Sequence, residues 1–97
     1  MVIAMTHLGY YPEPRGGAIG DSQVAAQVDG IDFIAGGHTH TFMEKPLSVK
    51  QPSGQETLVF QVGKSGIYLG RVDFAVRSVK IVGAAGRLLD LRDESLV

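Results

Sequence analysis

Residues 31 to 42 read Ile31-Asp32-Phe33-Ile34-Ala35-Gly36-Gly37-His38-Thr39-His40-Thr41-Phe42. The run Ile31 to Ala35 is short, apolar and rich in branched and aromatic side chains, which predicts a buried strand. It ends in Gly36-Gly37, where a backbone without Cβ turns tightly and lets another group come close. His38 and His40 follow. In extended chain, residues at i and i+2 point the same way, so this loop is expected to aim two imidazoles at one place. Neutral imidazole is the commonest metal ligand. The remaining histidine, His7, follows the apolar run Val2 to Met5. All the histidines thus lie just past predicted strand ends, the edge where open α/β sheets bind ligands. From spacing alone two readings stand: metal ligands, or surface histidines of ordinary loops.

Working outward, Gly9 to Gly20 holds two prolines and four glycines, its ends included, and predicts a loop. It lacks both glycine-rich phosphate-binding signatures, so Arg15 is read as a solvated loop residue. Asp21 is expected to cap a helix running from Ser22 to about Val28, with Val24, Ala25 and Val28 on its apolar face. Gly30 suits the stop. Beyond the histidines, strands are predicted at Leu47 to Val49, Thr57 to Val62, Tyr68 to Arg77 and Lys80 to Leu91. A turn at Gln51 to Gly54 separates the first two of these. Gly63-Lys64-Ser65 imitates the end of a nucleotide-binding loop, but a strand pattern follows it instead of a helix. Within Tyr68 to Arg77 the alternation is clear, with Tyr68, Gly70, Val72, Phe74 and Val76 on one face. Ser78-Val79 is read as a turn although it offers neither Gly nor Asn. The last strand is expected to bend at Gly83 or Gly86, and Arg92 to Val97 to fray.

Composition bounds the rest. Ninety-seven residues allow one small domain, and 44% apolar with 20% charged residues is ordinary for a globular chain. A net charge of −1 gives no electrostatic footprint for nucleic acid. There is no cysteine, hence no disulfide framework and no thiolate metal site. No apolar run reaches the length of a membrane span, and Met1 leads straight into a strand without a signal peptide pattern.

Gly36-Gly-His-Thr-His40 resembles the GGH-x-H motif of calcineurin-like metallophosphoesterases. Thr6-His-Leu-Gly9 resembles the strand-end histidine motif before it. Gln61-Val-Gly-Lys-Ser-Gly-Ile-Tyr-Leu-Gly-Arg-Val-Asp-Phe74 is similar to the segment that follows in the 5′-nucleotidase branch. The three stand in the right order. The resemblance implies an α/β fold, part of a two-sheet metallophosphoesterase sandwich. Here that is expected as one β-sheet of about five or six strands with one short helix. It also implies a pair of divalent metals at the strand ends, Zn or Mn, with His7 and His38 ligating one and His40 the other. The family's Asp-x-His, its Gly-Asp with a bridging aspartate and its Asn-His with a catalytic histidine do not precede His7. Residues 1 to 97 are accordingly expected to be the C-terminal half of the domain, with no catalytic residue of their own.

The function implied is hydrolysis of a nucleotide phosphate ester by metal-activated water, in company with the N-terminal half or through a self-associating copy. The resemblance also implies a periplasmic or extracellular protein. The alternatives are a stand-alone mononuclear zinc module built on His7, His38 and His40, and a structural domain without catalysis. Asp29, Asp32 and Glu44 are available as extra ligands but are read as solvated.

Overall fold

Ile34 and Val59 sit side by side on neighbouring strands and, with Ala25 of the helix, are wholly buried. Around this nucleus the computed structural model, which describes residues 1–13 and 16–94, builds two sheets and one helix. The elements in order are β1 (Ile3–Met5), α1 (Asp21–Gln27), β2 (Phe33–Ala35), β3 (Leu47–Lys50), β4 (Glu56–Phe60), β5 (Tyr68–Arg77) and β6 (Lys80–Asp90). The first sheet has the order β1-β2-β4-β3, with β1, β2 and β4 parallel and β3 antiparallel on β4. The second is the β5-β6 hairpin.

Alternation decides which face each residue joins. On β2, Ile34 turns toward α1, while Phe33 and Ala35 turn toward the hairpin. Phe33 meets Phe74 of β5 edge to face at 6.0 Å, a geometry that aromatic quadrupoles favour. The expectation of a single sheet is therefore corrected. Six strands form, but Gly63, Ser65 and Gly66 take positive φ between β4 and β5. The chain leaves the first sheet there, and its last two strands pair only with each other.

The helix start is corrected too. Gly20 is the N-cap and Asp21 is the first helical residue. The Gly20 N–H donates to Gln23 Oε1 at 2.9 Å, so Gln23 satisfies the helix start. Asp21 is thereby released for another task. Gly20 has no room for a side chain, because a Cβ would lie 2.4 Å from the Gly9 carbonyl oxygen.

The hairpin follows its alternation as far as Phe74, with Gly70, Val72 and Phe74 half-buried and Leu69, Arg71 and Asp73 exposed, while Val76 of the same predicted face is exposed. Its register slips between Ala75 and Val76, opposite Gly83, where the bend was expected. At the tip, Ser78 and Val79 have φ of 49° and 62°. Positive φ at both central residues is the twist a tight hairpin requires, but a β-branched residue is strained there. Val79 is 96% exposed, so no packing holds it. Replacing Ser78-Val79 by Asn-Gly is expected to stabilise the chain by about 1–2 kcal/mol, read as a raised urea midpoint with unchanged slope. Arg92, expected to fray, instead forks onto Asp90 and lies over the Tyr68 ring. Asp90 is held down at a pKa of about 2, chiefly by its side-chain hydrogen bond with Arg92. Ser95 to Val97 lie outside the described residues, as does Arg15.

The shape is a slab, 43 × 41 × 17 Å, with a radius of gyration of 14.0 Å. A compact chain of this length has about 12.5 Å. A cleft of about 470 Å³ opens between the first sheet and the hairpin, floored by Ile3, Phe33, Phe60 and Phe74. Beside it Met5 is 89% and Ile3 53% exposed. Contiguous apolar surface of this kind is rarely left open by soluble monomers. The isolated chain is expected to self-associate through this face. Light scattering should give a mass above 10.3 kDa that rises with concentration, and Met5→Lys should lower it.

Candidate metal centre

The Thr6 N–H donates to the Ala35 carbonyl at 3.0 Å, continuing the parallel pairing of β1 and β2 past the strand ends. That bond draws the two loops that follow, carrying His7 and His38, alongside each other. The His7 and His38 rings meet edge to face with centroids 5.0 Å apart. Gly37 lies against this pair, where a Cβ would meet His7 Nδ1 at 3.4 Å, an ordinary contact. Gly36 is the position where glycine is required. A Cβ on Gly36 would lie 2.0 Å from Asp21 Oδ2 and 3.6 Å from Gln61 Nε2. Gly36 is thus needed by the protein's own side chains.

His38 and His40 do not sit in extended chain. Their φ values are 81° and 54°, both left-handed. The expectation that i and i+2 aim the imidazoles alike is corrected, because it assumed extended backbone. Backbone strain of about 1–3 kcal/mol persists at such residues only where the surroundings enforce it. The enforcement comes from Thr39 and Thr41. Thr39 Oγ1 accepts from the Tyr10 N–H at 3.0 Å, donates to Gln61 Oε1 at 3.1 Å and so accepts from the Thr41 hydroxyl at 2.7 Å. The Thr41 N–H also donates to Gln61 Oε1, at 2.7 Å.

All three histidines are exposed at this edge. Only His7 and His38 are a ring pair, and among the described residues no group of three or more His, Asp or Glu gathers as a metal would require. Of the other carboxylates considered from the sequence, Asp29 accepts from the Ser53 N–H and Asp32 from the Val2 N–H.

Beneath the histidines lie two polar residues that the sequence reading did not assign to the site. Asp21 is fully buried and accepts from Thr6 Oγ1 at 2.5 Å, while its Oδ2 has no partner. Burial pushes its carboxyl above the usual range, against the opposing pull of Thr6. Gln61 is 1% exposed and its Nε2 is likewise unpartnered. The signal in the sequence was slight: one amide at the end of the otherwise apolar run Leu58 to Val62.

Over 74 residues the chain is 40% identical to the trifunctional nucleotide phosphoesterase protein YfkN of Bacillus subtilis (strain 168), covering 76% of this chain and 4% of that protein. It is 30% identical over 82 positions to a snake venom 5′-nucleotidase of Gloydius brevicauda, covering 71% of this chain and 13% of that one. Over the matched stretch the chain is of 5′-nucleotidase type. No family model matches it. The crystal structure of a 5′-nucleotidase precursor from Thermus thermophilus shares its fold, with a TM-score of 0.67 at 24% identity, over 71% of this chain and 16% of that one. The chain thus spans a small part of the length of these 5′-nucleotidase relatives. Its two sheets and helix are consistent with a partial sandwich of the 5′-nucleotidase fold. The paired imidazoles of His7 and His38 are two nitrogen donors of the kind a divalent ion takes, and among the described residues no further His, Asp or Glu gathers with them.

Proposed function

We propose that this chain supplies the histidine half of a binuclear metal site that hydrolyses a nucleotide phosphate ester. The observation that carries the reading is the meeting of His7 and His38 at the ends of β1 and β2. In it, His7 and His38 hold one divalent ion, Zn or Mn, and His40 contributes to the second. Such ions polarise phosphoryl oxygens and lower the pKa of a bound water. The chain's own contribution is to fix the imidazoles at the edge of a rigid parallel sheet. The remaining ligands, a bridging carboxylate and an acid come from a further segment carrying Asp-x-His, Gly-Asp and Asn-His. That segment also covers the apolar cleft, so residues 1 to 97 act as the C-terminal half of one domain. Export from the cytoplasm belongs to the same reading and is supported by the venom 5′-nucleotidases among its relatives. A single zinc held by all three histidines is the weaker alternative, because His40 does not gather with the other two.

Calorimetry with Zn²⁺ and Mn²⁺ tests the metal reading. His7→Ala and His38→Ala should each weaken the same binding event by at least about the ten- to hundredfold that losing a supporting hydrogen bond to a ligand costs. His40→Ala should leave that event in place. Unchanged binding in the His7→Ala/His38→Ala double variant would sink the proposal.

A further inference from the structure

We propose that Asp21 and Gln61 are the positioning residues of this site, one clamping each histidine loop, with the two clamps meeting under Gly36. Asp21 brackets His7. Its carboxylate takes the Thr6 hydroxyl at 2.5 Å and its N–H donates to the Gly9 carbonyl at 2.8 Å. These two bonds close the loop Thr6 to Gly9 from both ends, with His7 and Leu8 between them. Gln61 brackets His40 in the same way. Its Oε1 takes the Thr39 hydroxyl and the Thr41 N–H, and its carbonyl takes the Met43 N–H at 3.1 Å. Thr39 then ties the two loops to each other through the Tyr10 N–H.

The clamps converge on one spot. The point where a Cβ of Gly36 would stand has Asp21 Oδ2 and Gln61 Nε2 both within 4 Å. Both atoms are buried and without a partner. An acceptor and a donor left unsatisfied in the interior are costly, so the fold keeps them for something other than stability. Replacing both by apolar groups of similar shape is the cheaper solution for a sheet whose only task is packing. Here Gln61 holds the loop whose His38 and His40 take backbone conformations the chain does not favour by itself, and Asp21 holds the facing His7 loop.

The consequence for metal affinity rests on the ligand reading of His7 and His38, while the geometric claim does not. The test therefore reads both. In the labelled 97-residue chain, ring protons of His7 and His38 should give a nuclear Overhauser cross-peak. Asp21→Ala and Gln61→Met should each abolish it. Asp21→Asn, which keeps an acceptor for Thr6, should retain it. Val59→Ala, a core cavity on the neighbouring strand, should retain it despite its loss of stability. Where Asp21→Ala does not fold, Thr6→Val against Thr6→Ser makes the same comparison with a smaller change. Co²⁺ affinity should fall about ten- to hundredfold in the variants that lose the cross-peak and hold in those that keep it. A cross-peak that persists in folded Gln61→Met and Thr6→Val overturns the proposal, as does its equal loss in Val59→Ala. Wild-type protein that shows the cross-peak but binds no Co²⁺ overturns the metal reading alone.

Discussion

The isolated 97-residue chain is expected to show no metal-dependent hydrolysis of a nucleoside monophosphate, and to gain it when a segment carrying Asp-x-His, Gly-Asp and Asn-His is supplied. Two imidazoles meet at the sheet edge, and no third metal-holding side chain joins them among the described residues. A water bound by so incomplete a shell is not activated at neutral pH. General acid–base help is typically worth a further 10² to 10⁴, about two to four decades of rate. No histidine is spare for it in the proposed site, since an imidazole bound through one nitrogen is not free to shuttle protons. Turnover should be followed as inorganic phosphate released, with and without the complementing segment. The His38→Ala variant should fail in the complemented assembly. Steady turnover by the chain alone that disappears in His38→Ala would show that the site is complete without further sequence.

Gly36→Ala is expected to be among the most destabilising single methyl groups that can be added here. The new Cβ would stand 2.0 Å from Asp21 Oδ2. Asp21 is short, fully buried and tied to Thr6, so it cannot swing aside without breaking that bond. Overpacking costs about 1–3 kcal/mol and a hydrogen bond to a charged group about 1.5–3. The sum is a large part of the roughly 5–15 kcal/mol that holds a small domain together. In the Asp21→Ala background the obstacle is gone, and Gly36→Ala should cost less than about 1 kcal/mol. Urea unfolding of the four proteins at one fixed concentration measures this coupling. Additive losses would show that Gly36 is not where Asp21 presses. By contrast Gly30→Ala meets no atom within 4 Å, and its cost is that of a positive φ alone.

The elements were legible in the sequence because their signals are local. The alternation of Tyr68 to Arg77 gives a strand with the bounds observed. Each histidine stands just beyond a strand end as read, and the motifs around them identify the family that the relatives bear out. Tertiary structure decided the rest. Strand alternation says which residues share a face and not which strands pair, so the division into a sheet of four and a hairpin followed only from the turn at Gly63 to Gly66. Asp21 reads as a cap because Asp before a helix usually is one. It became a buried clamp because Gln23 satisfied the helix start and Thr6, fifteen residues earlier, offered a hydroxyl. Gln61 holds a loop twenty residues away along the chain. Contacts at such separations leave no periodic trace, since they exist only once β1, β2 and β4 lie side by side and bring their loops to one edge.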